Sequence, residues 1–187
     1  MGETIIQDVC VANKTFNAIL LRYFNPIGAH PSGKIGEIPQ GVPANLVPFL
    51  TQTAIGKRKE LFVFGADYPT PDGTCIRDYI HVMDLAHAHI LSLKFLWAKK
   101  NESNCEIFNL GTGKGNSVLE LIQTFESSTG QKVNYKIASR REGDIIQAYA
   151  DPSKAKKILG WQAKQSLSSA LKSAWEWEKN WQKEESS

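Results

Sequence analysis

"AILLRYFNPIGAHPSG", Ala18 to Gly33, passes from an apolar run through aromatics to an Asn-Pro break and then into a small polar loop. The run 18–24 is short and largely apolar, and Asn25-Pro26 ends it. It reads as a strand buried on both faces, the kind found in parallel sheets. Ahead of it, Ile5, Ile6, Val9 and Cys10 recur at helical spacing, so the sequence is expected to open inside a helix.

Working outward, the stretch up to Pro43 is polar and rich in Gly and Pro, and helical spacing resumes at Leu46, Phe49, Leu50 and Ala54. Residues 61–64 form a strand candidate stopped by Gly65, and DYPTPDG supplies turn chemistry around Asp72-Gly73. Residues 76–82 look extended, and Asp84 is placed to cap the helix LAHAHILSLKFLWAKK. A strand over 106–110 leads through GTGKG into a helix whose Ser117 and Glu120 have capping-box spacing. A strand over 133–137, a short helix on SKAKKILGW and an amphipathic helix from Ser168 to about Lys183 complete the chain. Strands alternating with helices predict an α/β layered fold. The pattern does not close as a doubly wound domain and has no solenoid repeat, so it reads as the second half of something larger.

Composition narrows the function. Of 187 residues, 42% are hydrophobic, enough for a substantial core, and the net charge of +3 comes from scattered Lys and Arg without a basic block. Nucleic-acid and membrane-surface roles therefore have little support. Cys10, Cys75 and Cys105 contain no C-x-x-C pair, which argues against a disulfide framework or a zinc site and suits a reducing cytosol. No apolar run approaches membrane-spanning length and no signal-peptide pattern is present, so a cytoplasmic protein is expected.

Three stretches carry chemistry. Gly111-Thr112-Gly113-Lys114-Gly115 sits between strand and helix, where backbone N–H groups hold either phosphate or a structural tight turn together. It departs from the P-loop, because Gly115 follows the Lys, and from the dinucleotide fingerprint, because the next strand ends in Ala138-Ser139 rather than an acid. In Thr74–Asp84, alternation puts Arg77 and Tyr79 on one side and Asp78 and Ile80 on the other. Arg77 then grips a phosphate with its planar fork or pairs with a local carboxylate such as Asp78. His81 and Asp84 are open to metal or acid/base readings, or to the plainer ones of core histidine and helix cap. Arg140-Arg141-Glu142-Gly143-Asp144 is either a solvated charged loop or half of an anion clamp, with Arg141 on a phosphate oxygen and Asp144 on a ribose diol.

"LRYFNPIGAHPSG", "GTCIRDYIHVMDLA", "FNLGTGKG", "RREGD" and "DPSKAKKILGW", in this order and at these separations, closely resemble the C-terminal half of UDP-glucose 4-epimerases of the extended short-chain dehydrogenase/reductase superfamily. The resemblance implies the C-terminal part of a Rossmann-type NAD-binding fold joined to a smaller mixed α/β substrate domain. Residues 1–30 would be the tail of the NAD domain and 31–187 the substrate domain, with some elements returning to the Rossmann sheet. It implies Tyr23 near the nicotinamide of NAD, and Phe24 and Asn25 along sugar and diphosphate. Asn45 and Leu46 would lie under diphosphate and uridine, Phe62, Val63 and Phe64 would flank the uracil, Arg77 and Arg141 would bind phosphate oxygens, and Asp144 the ribose. Ala148 would face the hexose, and its small size implies that UDP-N-acetylhexosamines are accepted beside UDP-glucose and UDP-galactose.

Family chemistry passes a hydride from C4 of the hexose to NAD and back, with the Tyr of Tyr-x-x-x-Lys as base. No Tyr in this sequence has Lys four positions on, and the NAD glycine fingerprint is missing. The resemblance therefore places no catalytic residue here, expects the Tyr and Lys upstream of Met1, and implies a chain inactive alone and a homodimer when complete. Two positions depart from the family: Ala44, where a second Asn is usual, and Ile38, where an acid is usual. A nucleotide-sugar dehydratase or decarboxylase and a non-catalytic UDP-sugar-binding module are the rival readings.

Overall fold

The computed structural model describes residues 1–185. Helix α1 (Gly2–Ala12) opens the chain and buries Cys10 against the sheet. Strand β1 (Ala18–Tyr23) follows, then β2 (Asn25–Ile27), α2 (Leu46–Ala54), β3 (Leu61–Phe64), β4 (Ile76–Arg77) and β5 (Tyr79–His81). Helix α3 (Val82–Trp97), β6 (Cys105–Leu110), β7 (Asn116–Ser117), α4 (Val118–Thr129) and β8 (Tyr135–Ala138) precede β9 (Gln147–Ala148), α5 (Ser153–Leu159) and α6 (Leu167–Glu185).

The pairings are mostly parallel and non-local, as an α/β fold requires. β1 pairs with β6, β2 with β5, and β3 with β8, all parallel; β4 pairs antiparallel with β7 and parallel with β9. Two apolar cores result. One gathers Leu50, Val63, Leu121, Phe125 and Leu171 between α2, α4, α6 and β3; the other gathers Ile80, Leu85, Phe108, Leu110 and Trp161 around β6, α3 and α5.

Several expectations shift. β1 was read as buried on both faces, yet Leu20 is its one buried residue, because among the described residues β6 is its single strand partner. Asn25-Pro26 breaks β1 but does not end pairing: the chain resumes as β2, whose Asn25 N–H donates to the Asp78 carbonyl at 3.0 Å. Strand β8 starts two residues later than its apolar pattern suggests, because the Val133 N–H is taken by Glu126 Oε1 at 3.0 Å. The Ser117/Glu120 capping box is present at α4. At α3 the cap is His81, whose Nδ1 accepts from Met83 N–H at 3.1 Å. Asp84 sits one turn inside and holds a distant loop instead: its Oδ2 accepts from Lys164 and Gln165 N–H groups at 3.0 and 2.9 Å. Trp161 Nε1 donates to the Asp84 carbonyl beside it.

Candidate functional site: an arginine-lined cleft

The alternation read through the 76–82 segment is what builds the site. Arg77 and Tyr79 face a cleft of about 620 Å³, while Asp78 and Ile80 turn away from it. β2 supplies Asn25 and Pro26, the loop into α2 supplies Pro43, Ala44 and Asn45, β3 supplies Phe62–Phe64, and the loop after β8 supplies Arg141 and Asp144.

Arg77 does not pair with its neighbour Asp78. Its Nη1 donates to the Ile145 and Ile76 carbonyls at 2.6 and 2.9 Å, and its Nη2 lies 3.8 Å from Asp144 Oδ1. Arg141 Nη2 reaches the same oxygen at 2.8 Å. Two guanidinium groups from distant segments thus converge on one carboxylate at the cleft wall. Arg141 also lies over the Phe64 ring, 5.8 Å from its centroid, and Phe62 and Phe64 stand on the exposed face of β3. Aromatic faces beside paired guanidiniums suit a planar base next to an anion. Asn45 Nδ2 donates to Glu37 Oε1 at 2.8 Å, which fixes the amide at the cleft mouth. Burial pushes the Tyr79 phenol up, so it stays protonated and is no base near neutral pH.

Of the expected substrate contacts, Phe24, Asn25, Asn45, Leu46, Phe62, Val63, Phe64, Arg77, Arg141 and Asp144 all line this cleft. Ala148 is not among the lining residues: it is the β9 register partner of Arg77, on the same side of that strand pair. Tyr23 lies outside as well, half exposed at the end of β1, with its ring centroid 6.4 Å from that of His89. Cys75, Tyr79 and Val118 line the cleft and were missed. For Tyr79 the signal was available, since it shares a strand side with Arg77.

The glycine turn resolves as structural. Asp78, fully buried, accepts from Thr112 N–H at 2.9 Å and Thr112 Oγ1–H at 2.7 Å through Oδ1. Its Oδ2 accepts from Gly113 N–H at 3.0 Å and Ala150 N–H at 3.2 Å. A Cβ on Gly111 would come within 2.4 Å of Asp78 Oδ2 and 2.5 Å of Ala150 Cβ. The turn's donors already hold an anion belonging to the chain, so this turn does not fit the diphosphate of NAD. His81 and Asp84 are likewise absorbed by backbone contacts, and the described residues contain no cluster of three or more metal-ligating side chains.

A family model described as GDP-mannose 4,6 dehydratase matches residues 1–174. The chain belongs to that family. Within it, the chain is homologous to UDP-glucose 4-epimerases: it is 54% identical to the Homo sapiens enzyme over 177 residues and 50% identical to that of Bacillus subtilis over 178. These alignments take in 95% of the chain and 50% and 52% of the relatives. The crystal structure of a UDP-glucose 4-epimerase from Stenotrophomonas maltophila, with bound NAD and formylated UDP-arabinopyranose, superposes with a TM-score of 0.93 at 46% identity. It is matched over 97% of this chain and 53% of its own. The epimerase from Bifidobacterium longum, in complex with NAD+ and UDP, gives 0.88 at 47% identity, over 95% of this chain and 52% of its own. The chain spans about half the length of these family members, and its α/β architecture with parallel strands is that of a Rossmann-type fragment.

Proposed function

We propose that this chain is the UDP-sugar-binding half of a UDP-hexose 4-epimerase that interconverts UDP-glucose and UDP-galactose. One observation carries the reading: Arg77 and Arg141 converge beside Phe64 and Asp144 on one cleft wall. On binding, the diphosphate takes the two guanidiniums and releases Asp144 to accept from the ribose hydroxyls, while Phe62 and Phe64 flank the base and Asn45 the diphosphate. The hydride chemistry belongs to NAD and to a Tyr-x-x-x-Lys supplied by the rest of the protein, and no step of it rests on residues of this chain. Tyr23 is the residue here that faces the nicotinamide. Residues 1–30 belong with the NAD-binding domain and 31–187 with the substrate domain. β6, α3 and α5 return to pack beside β1. The complete protein works as a cytosolic homodimer and accepts UDP-N-acetylhexosamines, the small Ala148 beside Arg77 leaving room for the hexose 2-substituent.

Calorimetric titration of the chain with UDP, UDP-glucose and uridine tests the reading. UDP and UDP-glucose bind and uridine binds at least ten-fold more weakly, since uridine lacks the anion; Arg77→Ala removes ~1.5–3 kcal/mol, about ten-fold or more in affinity. Equal binding of uridine and UDP, or an unaffected Arg77→Ala, sinks it. Mixed with a polypeptide carrying the fingerprint and Tyr-x-x-x-Lys, the chain restores epimerisation that neither piece shows alone. Binding without any restored turnover favours the rival, a non-catalytic UDP-sugar module.

A further inference from the structure

Away from the cleft, the fold brings a second pair of reactive side chains together. Cys10 is on the inner face of α1 and Cys105 opens β6. Cys10 Sγ–H donates to the Asn104 carbonyl at 3.4 Å, and Asn104 Nδ2 donates back to the Cys10 carbonyl. The Ala18 N–H donates to that same Asn104 carbonyl at 2.9 Å, so the residue preceding Cys105 is tied to both α1 and β1. Cys105 follows Asn104 directly, so the Cys10 thiol lies beside the peptide bond that leads into Cys105, and the two thiols act on one another electrostatically. Cys10 is 1% exposed whereas Cys105 is partly open, so a reagent in solvent meets Cys105 first.

We propose that Cys10 and Cys105 are a reversible dithiol/disulfide pair that fastens α1 to β6, with a low-molecular-weight disulfide such as glutathione disulfide as the oxidant. The Cys105 thiolate attacks one sulfur of the glutathione disulfide; that S–S bond breaks and one glutathione leaves as thiolate. Cys10 then gives its proton to solvent and attacks the Cys105 sulfur, expelling the second glutathione. Two protein thiols become one S–S bond, and the electron pair ends on two glutathione molecules. Burial, then Cys10, then Glu106 and Glu3 push the Cys105 thiol up. Glu3 is paired with Arg22 and Glu106 with Lys154, so both carboxylates on the neighbouring elements are partly neutralised. Thiolate remains scarce at neutral pH, and the pair closes faster as pH rises.

The test treats the whole 187-residue chain with glutathione disulfide at pH 7.0 and pH 8.5, blocks free thiols, digests without reductant and maps the peptides by mass. The expected product is the peptide containing Cys10 joined to that containing Cys105, two hydrogens lighter than their sum. It forms faster at pH 8.5, is reversed by dithiothreitol and leaves Cys75 free. Repeating the oxidation in urea should erase the preference for this pair, because the fold creates it. A lasting glutathione adduct on Cys105 with Cys10 still reduced overturns the proposal, as does a preference for the same pair in urea. Comparable linkage through Cys75 in the native chain overturns it too.

Discussion

The cleft wall and the surface around β1 are built from the same kinds of residue, yet one is closed by the chain itself and the other is left open. At the cleft, Asp78 joins three separate segments through four hydrogen bonds, and β4 has a strand on each side. At β1 a single strand pairs among the described residues. Along the neighbouring helix α3, Ile90, Leu93 and Trp97 are 50%, 65% and 89% exposed, and Ile5, Val9 and Val11 of α1 are also exposed. An apolar stripe at helical spacing is core chemistry, and exposed on this scale it marks a surface that lacks its covering. The cleft side is thus self-sufficient in its contacts, while the β1 side has the sequence of an interior and the exposure of a surface. This difference fits a chain that spans half the length of its relatives.

The largest effect should come from opening the closed side. Asp78→Ala strips the shared acceptor from Thr112, Gly113 and Ala150 and leaves the N–H of the buried Ala150 unpaired. Removing a buried acceptor and leaving its donor unsatisfied typically costs ~1–3 kcal/mol. Denaturant unfolding should show that loss. A change under ~1 kcal/mol would mean the three segments are held together by packing alone and would erase the contrast just drawn.

A smaller, pH-dependent effect belongs to His81, which sits where α3 meets the closed side. Its Nδ1 accepts from Met83 N–H, so the ring proton is on Nε2, directed at Ser173 Oγ at 3.4 Å. Burial, partly opposed by the Asp84 charge, pushes its pKa below 6.5. The unfolded chain therefore takes up this proton first as pH falls. The stabilisation is fully present above the unfolded value and is lost progressively as pH drops through the lowered folded one. Wild-type stability should fall from pH 7 to pH 5, and His81→Asn, which keeps a good cap but cannot titrate, should flatten that slope. Identical slopes would show that other groups carry the acid sensitivity.

These two residues also show what could be read from the sequence. The capping box, the helical spacings and the alternation that sends Arg77 and Tyr79 to one side are local patterns, and local patterns survive folding. Asp78 was legible only as a possible partner for Arg77, because its real partners lie some 34 and 72 residues further on. The convergence of Arg77 and Arg141 has the same origin: β9 must first pair with β4 before the 140–144 loop can reach the cleft. The cap at α3 was misassigned because Asp is the commoner cap, whereas tertiary contacts drew Asp84 to Lys164 and Gln165 and left His81 to do it. The exposure of β1 was invisible for the opposite reason, since an apolar strand reads as buried whether or not its neighbours belong to the same chain.

The smallest effect on stability should be found on the open side, and there the absence of an effect is informative. Leu93→Lys with Trp97→Lys removes two large apolar side chains that are mostly exposed, so unfolding should change by no more than ~0.5 kcal/mol. The same pair should still matter for association, because a lysine pair breaks the apolar stripe. Sedimentation of the wild-type chain at rising concentration should show self-association that the double variant lacks. If the variant instead loses several kcal/mol while both chains stay monomeric, then α3 packs its outer face within this chain in solution. The two sides of the molecule would then be alike.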